Sequence, residues 1–166
     1  RKGTSSYTNR LGEKVASDLV TVIDDGTVDN DRGSINFDDE GTISSRSVLI
    51  ENGILRKFMT DKINADYLKM ERTGNGRRES YKYPPVPRMT NTYLANGKYD
   101  PGEIFESTDR GIYCKSFRGG QVDPASGDFV FVPIEAYLVE KGKLKHPVRN
   151  FTLIGNGPDV LSKVTM

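Results

Sequence analysis

Apolar residues along this chain fall into short runs separated by Gly, Asp and Asn, and almost nowhere do they sustain a helical period for more than two turns. Leu19 to Ile23 is β-branched and bounded by Asp24-Asp25-Gly26, which predicts a strand running into a turn. The dozen residues that follow hold few large apolar groups and predict a surface loop. Ser47 to Glu51 and Ile54 to Met59 flank Asn52-Gly53. Both turn residues tolerate the positive φ of a type I′ turn, so a hairpin is expected. Thr60 can cap a short helix in which Ile63 and Tyr67 lie one turn apart, with Ala65 and Leu68 widening the apolar face, ending before Gly74.

A second helix is expected from Asp100. Pro101 takes its first turn, Glu103 stands at capping-box spacing and Gly111 ends it. The strand Ile112 to Phe117 follows. Phe129 to Val139 is an apolar run with weak alternation, expected as a strand covered on both faces, with Pro133 implying a bulge or an edge. Glu140 to Lys143 turns the chain back into Leu144 to Val148 and Phe151 to Ile154, and Pro158 starts a last short helix. Residues 1–14 are polar and glycine-bearing and are expected as a loose lead-in. With no repeat or composition break, residues 1–166 read as one domain, of α+β class with mainly antiparallel strands.

Composition narrows the function classes. The 166 residues can bury about 70% of their unfolded surface, enough for a real core. Mean hydropathy is −0.57, and no apolar run approaches the roughly 20 residues of a membrane span, so a membrane role is not expected. Lys and Arg number 24 against 23 Asp and Glu. So balanced a surface has no basic stripe to draw phosphates, which argues against direct nucleic-acid binding. The single cysteine, Cys114, cannot form an internal disulfide and fits a reducing cytoplasm. The sequon Asn150-Phe151-Thr152 is read as chance. A first residue other than Met suggests a truncated or processed chain.

Several polar constellations invite chemistry. Gly74-Asn75-Gly76-Arg77-Arg78 either offers backbone N–H groups and two guanidinium groups to an anion or is a turn with solvated arginines. The third glycine and adjoining helix of a dinucleotide motif are missing. Gly155-Asn156-Gly157 lies between a strand and a helix start, yet Pro158 removes one amide donor that a phosphate cradle uses, which favours a structural turn. Asp29-Asn30-Asp31-Arg32-Gly33 lacks the ligands that complete a calcium loop, and Asp38-Asp39-Glu40 reads as a charged turn rather than a magnesium site. Nothing places Cys114 beside His146 as nucleophile and base. With one His and one Cys, a three-ligand zinc site of imidazole and thiolate alone is impossible within this chain.

Thr73-Gly74-Asn75-Gly76-Arg77-Arg78-Glu79-Ser80 and Pro87-Arg88-Met89-Thr90-Asn91-Thr92-Tyr93 together resemble the TldD/PmbA family of zinc metallopeptidases, often labelled modulators of DNA gyrase. Four further blocks fall in the family's order: Gly12-Glu13-Lys14-Val15-Ala16-Ser17, Asp38-Asp39-Glu40-Gly41-Thr42, Gly119-Gly120-Gln121-Val122-Asp123 and Leu153-Ile154-Gly155-Asn156-Gly157-Pro158. The resemblance thus spans nearly the whole chain.

It implies a curved, barrel-like antiparallel sheet with attached helices. It also implies a parent enzyme in which a His-Glu-x-x-x-His helix upstream and a cysteine downstream hold zinc. Residues 1–166 would then be the stretch between the halves of that metal site, with no zinc or catalytic residue of their own. Extended peptides or unfolded proteins are the implied substrates. Arg77, Arg78, Arg88, Thr90, Asn91, Gly119, Gly120 and Gln121 are the candidate substrate contacts, against the alternative of a polar strand and tight turns. Two other readings remain: the metal-free partner subunit of a heterodimer, and a modulator that binds gyrase. A homologous partner subunit or self-association is expected either way, with strand edges near Leu19 to Ile23 and Phe129 to Val139 as the candidate surfaces.

Overall fold

The computed structural model describes residues 5–166, and residues 1–4 of the expected lead-in lie outside the described residues. The chain divides into two compact units, one formed by Arg10–Asn96 and one by residues 5–9 with Gly97–Met166.

The Arg10–Asn96 unit is built on a four-stranded antiparallel sheet in the order β3-β2-β1-β6, comprising β1 (Val22–Asp25), β2 (Arg46–Glu51), β3 (Ile54–Leu55) and β6 (Thr92–Leu94). The β2–β3 turn is the expected hairpin, with Asn52 at φ 47° and Gly53 at φ 79°. Residues 10–14 are not a loose lead-in. Gly12 donates to the Leu55 carbonyl at 2.8 Å, Leu55 to that of Glu13 at 3.0 Å, and Val15 to that of Gly53 at 2.8 Å, so this segment is laced to the hairpin. Val15 and Ala16, which follow it, join the core, where Val20, Ile23, Ile50, Leu55 and Ala65 are also buried.

Helix α1 (Lys62–Leu68) is capped by Asp61, whose carboxylate accepts from Asn64 N at 2.7 Å, and not by Thr60. Thr60 is fully buried and turns its hydroxyl to the Glu71 carbonyl at 2.9 Å. The expected apolar face is also corrected. Only Ala65 is buried, while Ile63, Tyr67 and Leu68 are exposed. A separate two-stranded ribbon joins β4 (Gly76–Arg77) to β5 (Val86–Pro87).

The second unit centres on a long antiparallel pair, β7 (Arg110–Val122) and β8 (Asp128–Glu140), with β10 (Leu153–Asn156) and β9 (Lys143–Pro147) on the far side of β8. Register shifts between Cys114 and Gly119 lie opposite the stretch holding Pro133, the bulge that proline implied. Helix α2 (Pro101–Ser107) carries the expected capping box at Asp100 and Glu103, and it ends at Ser107, short of Gly111, with Thr108 as its C-cap. Helix α3 (Gly157–Ser162) starts at Pro158's turn with Asn156 as cap.

The architecture is antiparallel sheets with three short helices among the described residues, and these sheets are open rather than closed into a barrel. Two strand expectations change. Phe129 to Val139 is not covered on both faces, because Val130, Val132 and Ile134 are 42%, 44% and 60% exposed. The segment around Ile23 is not an edge, since β1 lies between β2 and β6, whereas the outer side of β8 is strand-paired only at its ends, by β10 at 128–131 and by β9 at 137–140.

Candidate functional site

The two sequence blocks at 73–80 and 87–93 meet in space. Gly76 pairs with Pro87 and Arg77 with Val86, and Arg88 N donates to the Asn75 carbonyl at 2.9 Å. Asn75 answers with its side chain, donating from Nδ2 to the Arg88 carbonyl at 3.0 Å. The backbone of Arg88 is therefore held at both its N–H and its C=O by one residue, while its side chain is exposed. Arg77 is half-buried and donates from a guanidinium nitrogen to the Met89 carbonyl at 2.7 Å; Arg78 is exposed.

Beneath this ribbon lies Asp24, 1% exposed, at the centre of β1. Its Oδ2 accepts from Asn75 Nδ2 at 2.7 Å and from the Thr90 hydroxyl at 2.8 Å. Its Oδ1 accepts from Thr90 N at 2.9 Å and from the Thr92 hydroxyl at 2.5 Å. Four donors engage this buried carboxylate, and among the described residues no ion pair is formed at it; hydrogen bonding to both oxygens offsets the cost of its burial. Sequence reasoning missed this residue. In sequence Asp24 reads as the first residue of the turn that bounds the strand Leu19 to Ile23, and nothing local signals partners 51 to 68 positions away.

The acidic turn 38–40 holds the same ribbon from another direction. Asp38 Oδ2 accepts from Gly76 N at 2.9 Å, Asp39 Oδ2 from Arg78 N at 2.6 Å, and Glu40 Oε2 from Lys62 N at the first turn of α1 at 2.7 Å. Asp38 Oδ1 also closes its own turn on Glu40 N and Thr42 N at 2.9 and 2.8 Å. These oxygens are engaged by backbone amides, which fits the charged-turn reading rather than a cation site. A Cβ on Gly76 would stand 2.7 Å from the Glu40 carboxylate, so glycine permits this close approach.

The remaining candidates divide. Thr90 gives both its N–H and its hydroxyl to Asp24. Asn91 accepts from Gly33 N at 2.7 Å and donates to the Asp25 carbonyl and the Ser34 hydroxyl, both at 2.9 Å, which ties the 26–34 loop to the strand. Their side chains are thus engaged inside the unit. Gly119, Gly120 and Gln121 belong to the other unit, on β7. A Cβ at Gly120 would lie 2.2 Å from the Phe131 ring, so that glycine makes room for a cross-strand aromatic. Gly119 has open space in place of a side chain, and Gln121 is exposed.

On β7 and β8, Glu135 accepts from Lys115 at 2.8 Å and from the Tyr137 hydroxyl at 2.9 Å. The Lys115 bond draws the Glu135 carboxyl below its ordinary range, and the same bond raises the Lys115 ammonium. The Tyr137 phenol is raised through its bond to Glu135. Burial pushes the Cys114 thiol up, which makes it a poor nucleophile at neutral pH.

The chain has one His and one Cys, and among the described residues no three His, Cys, Asp or Glu side chains gather as a metal would require. Among the described residues no helix is long and apolar enough to cross a membrane.

Known proteins match over the same span. The family model for the PmbA/TldA metallopeptidase C-terminal domain covers residues 1–166. The chain is 56% identical over its full length to a metalloprotease TldD homolog of Buchnera aphidicola subsp. Acyrthosiphon pisum, covering 34% of that protein. It is 51% identical over the same length to one from Haemophilus influenzae, again 34% of that protein. A zinc metalloprotease TldD homolog of Saccharolobus solfataricus is 35% identical over 93% of the chain. Among solved structures, TldE from Thermococcus kodakarensis superposes with TM-score 0.83 at 30% identity, covering 99% of this chain and 37% of that one. The chain spans about a third of the length of the curated relatives it matches. On the strength of a match that runs from Arg1 to Met166, the chain belongs to the PmbA/TldA metallopeptidase C-terminal domain family.

Proposed function

We propose that this chain forms part of the substrate cleft of a TldD-like zinc-dependent peptidase that acts on unfolded or peptide substrates. One observation carries the reading: the exposed Arg78 and Arg88 flank the β4–β5 ribbon, whose backbone is held at Gly76 N by Asp38 and at Arg78 N by Asp39, while Asp24 holds the adjoining Asn75 side chain and Thr90. Exposed guanidinium groups on a fixed backbone suit the carbonyl and carboxylate groups of an extended peptide, since a rigid donor loses little freedom on binding. Zinc and the groups that activate water come from elsewhere in the full-length protein, and this chain alone is inactive. Thr90 and Asn91 serve the site by holding the strand that follows Arg88, and Gly119 to Gln121 add exposed β-strand backbone.

The metal-free partner reading draws support from the likeness to TldE. The TldD-like reading is preferred because the relatives at 51 to 56% identity are named metalloproteases of the TldD type. Kinetics of the full-length protein on an unfolded polypeptide test the proposal. Turnover is expected to stop with a chelator, and Arg78→Ala and Arg88→Ala are each expected to lower kcat/KM by about 10-fold or more, the loss of a charged hydrogen bond. Chelator-insensitive turnover, or wild-type kcat/KM in both variants, would overturn it.

A further inference from the structure

We infer that Asp24 is a positioning residue for substrate binding, acting through Asn75 on Arg88. The inference rests on the reading that Arg88 faces the substrate, and goes beyond it by naming what sets the arginine's place. Asn75 is 1% exposed, and among the described residues its side chain is held by the two bonds that Nδ2 donates, to Asp24 Oδ2 at 2.7 Å and to the Arg88 carbonyl at 3.0 Å. Its Oδ1 is buried without a hydrogen-bond partner among the described residues. The orientation of this amide therefore depends on Asp24 at one hydrogen and Arg88 at the other. Asp24 holds the other end of the same segment as well, through the N–H and hydroxyl of Thr90. Arg88 is thus fixed two ways by one carboxylate: through Asn75 at its own backbone and through Thr90 two residues on.

Both carboxylate oxygens are required as acceptors. One faces the Asn75 amide hydrogens and the other faces the Thr90 N–H, and neither donor can turn into an acceptor without breaking a bond. If Asn75 flipped, its Oδ1 would confront the Arg88 carbonyl. The side chain of Asp24→Asn has one acceptor oxygen where two are needed, at unchanged size. It should leave the sheet in place while releasing either Asn75 or Thr90.

A double-mutant cycle in the full-length protein separates positioning from general stability. KM and kcat for an unfolded polypeptide would be measured for wild type, Asp24→Asn, Arg88→Ala and the double variant, alongside amide hydrogen exchange of residues 86–92. Asp24→Asn is expected to raise KM about 10-fold with kcat within about twofold, and to change KM less than about twofold once Arg88 is alanine. Exchange at 86–92 should quicken while that of the Asn52-Gly53 hairpin stays slow. Additive effects on KM, or unchanged KM in Asp24→Asn while Arg88→Ala is impaired, would overturn the inference alone. Unchanged KM in Arg88→Ala would overturn the premise that Arg88 faces the substrate, and with it the inference. If Asp24→Asn does not fold, Thr92→Val, which removes one of the four donors and leaves Asn75 and Thr90 in place, is expected to give a smaller rise in KM that is also absent in the Arg88→Ala background; a rise that persists there would count against the inference.

Discussion

Gly53 and Asp24 mark the two extremes of what a single residue discloses. Asn52-Gly53 was legible because its demand is local: a turn that needs positive φ at two successive positions admits few residue pairs. Packing adds to it, since a Cβ at Gly53 would stand 2.5 Å from the Ala16 carbonyl oxygen. Gly53→Ala is therefore expected to destabilise the chain by about 1–3 kcal/mol, combining the φ penalty with a backbone clash, and a thermal melt checks it. A melting temperature within experimental error of wild type would contradict that. Asp24 was illegible for the opposite reason. Its neighbours in sequence are strand residues, whereas its donors come from Asn75, Thr90 and Thr92. The candidate blocks were found through family resemblance, but their division into outward arginines and inward Thr90 and Asn91 needed coordinates.

Elements whose ends are set by short-range capping were read well, and those whose faces are set by tertiary contacts were not. Asp100, Pro101 and Glu103 announce α2 within four residues. Asp100→Ala should cost the helix about 1 kcal/mol, visible as faster amide exchange over residues 102–104. By contrast, Thr60 and Asp61 are both capable caps, and the choice between them is made by Thr73 and Glu71, which draw Thr60 into the core. At the start of β8, the Asp128 carboxylate accepts from Asn156 Nδ2 at 2.8 Å and the Ser126 hydroxyl at 2.9 Å, and these bonds hold its pKa below the ordinary value. A carboxyl depressed in the folded state stabilises it above the unfolded pKa, and that contribution is lost as pH falls through the depressed folded value. The start of α3 is accordingly expected to loosen on acidification below the usual aspartate range. The Asn156 side-chain amide resonance should shift there in wild type and not in Asp128→Asn; a pH-independent resonance would contradict the coupling.

At the scale of the molecule, the exposed face of β8 is the feature the sequence concealed. Val130, Val132 and Ile134 alternate along the strand and Ile154 of β10 lies beside them, all more than 40% exposed. An apolar run with weak alternation predicts burial on both sides, but alternation reports only what some partner eventually covers, and the described residues leave this face largely open. Isolated, the chain is expected to self-associate through it, with weight-average mass rising across the micromolar range in light scattering. Ile134→Lys should reverse this, and a wild-type monomer throughout would contradict it.

The central claim is that the ribbon formed by residues 76–88 meets the substrate. A photoreactive unfolded polypeptide, cross-linked to the full-length protein with its metal in place and mapped by mass spectrometry, tests it most directly. The account predicts cross-links on residues 77–93, diminished by competing unlabelled polypeptide. Cross-links confined to other segments, in a protein that still turns the polypeptide over, would contradict it.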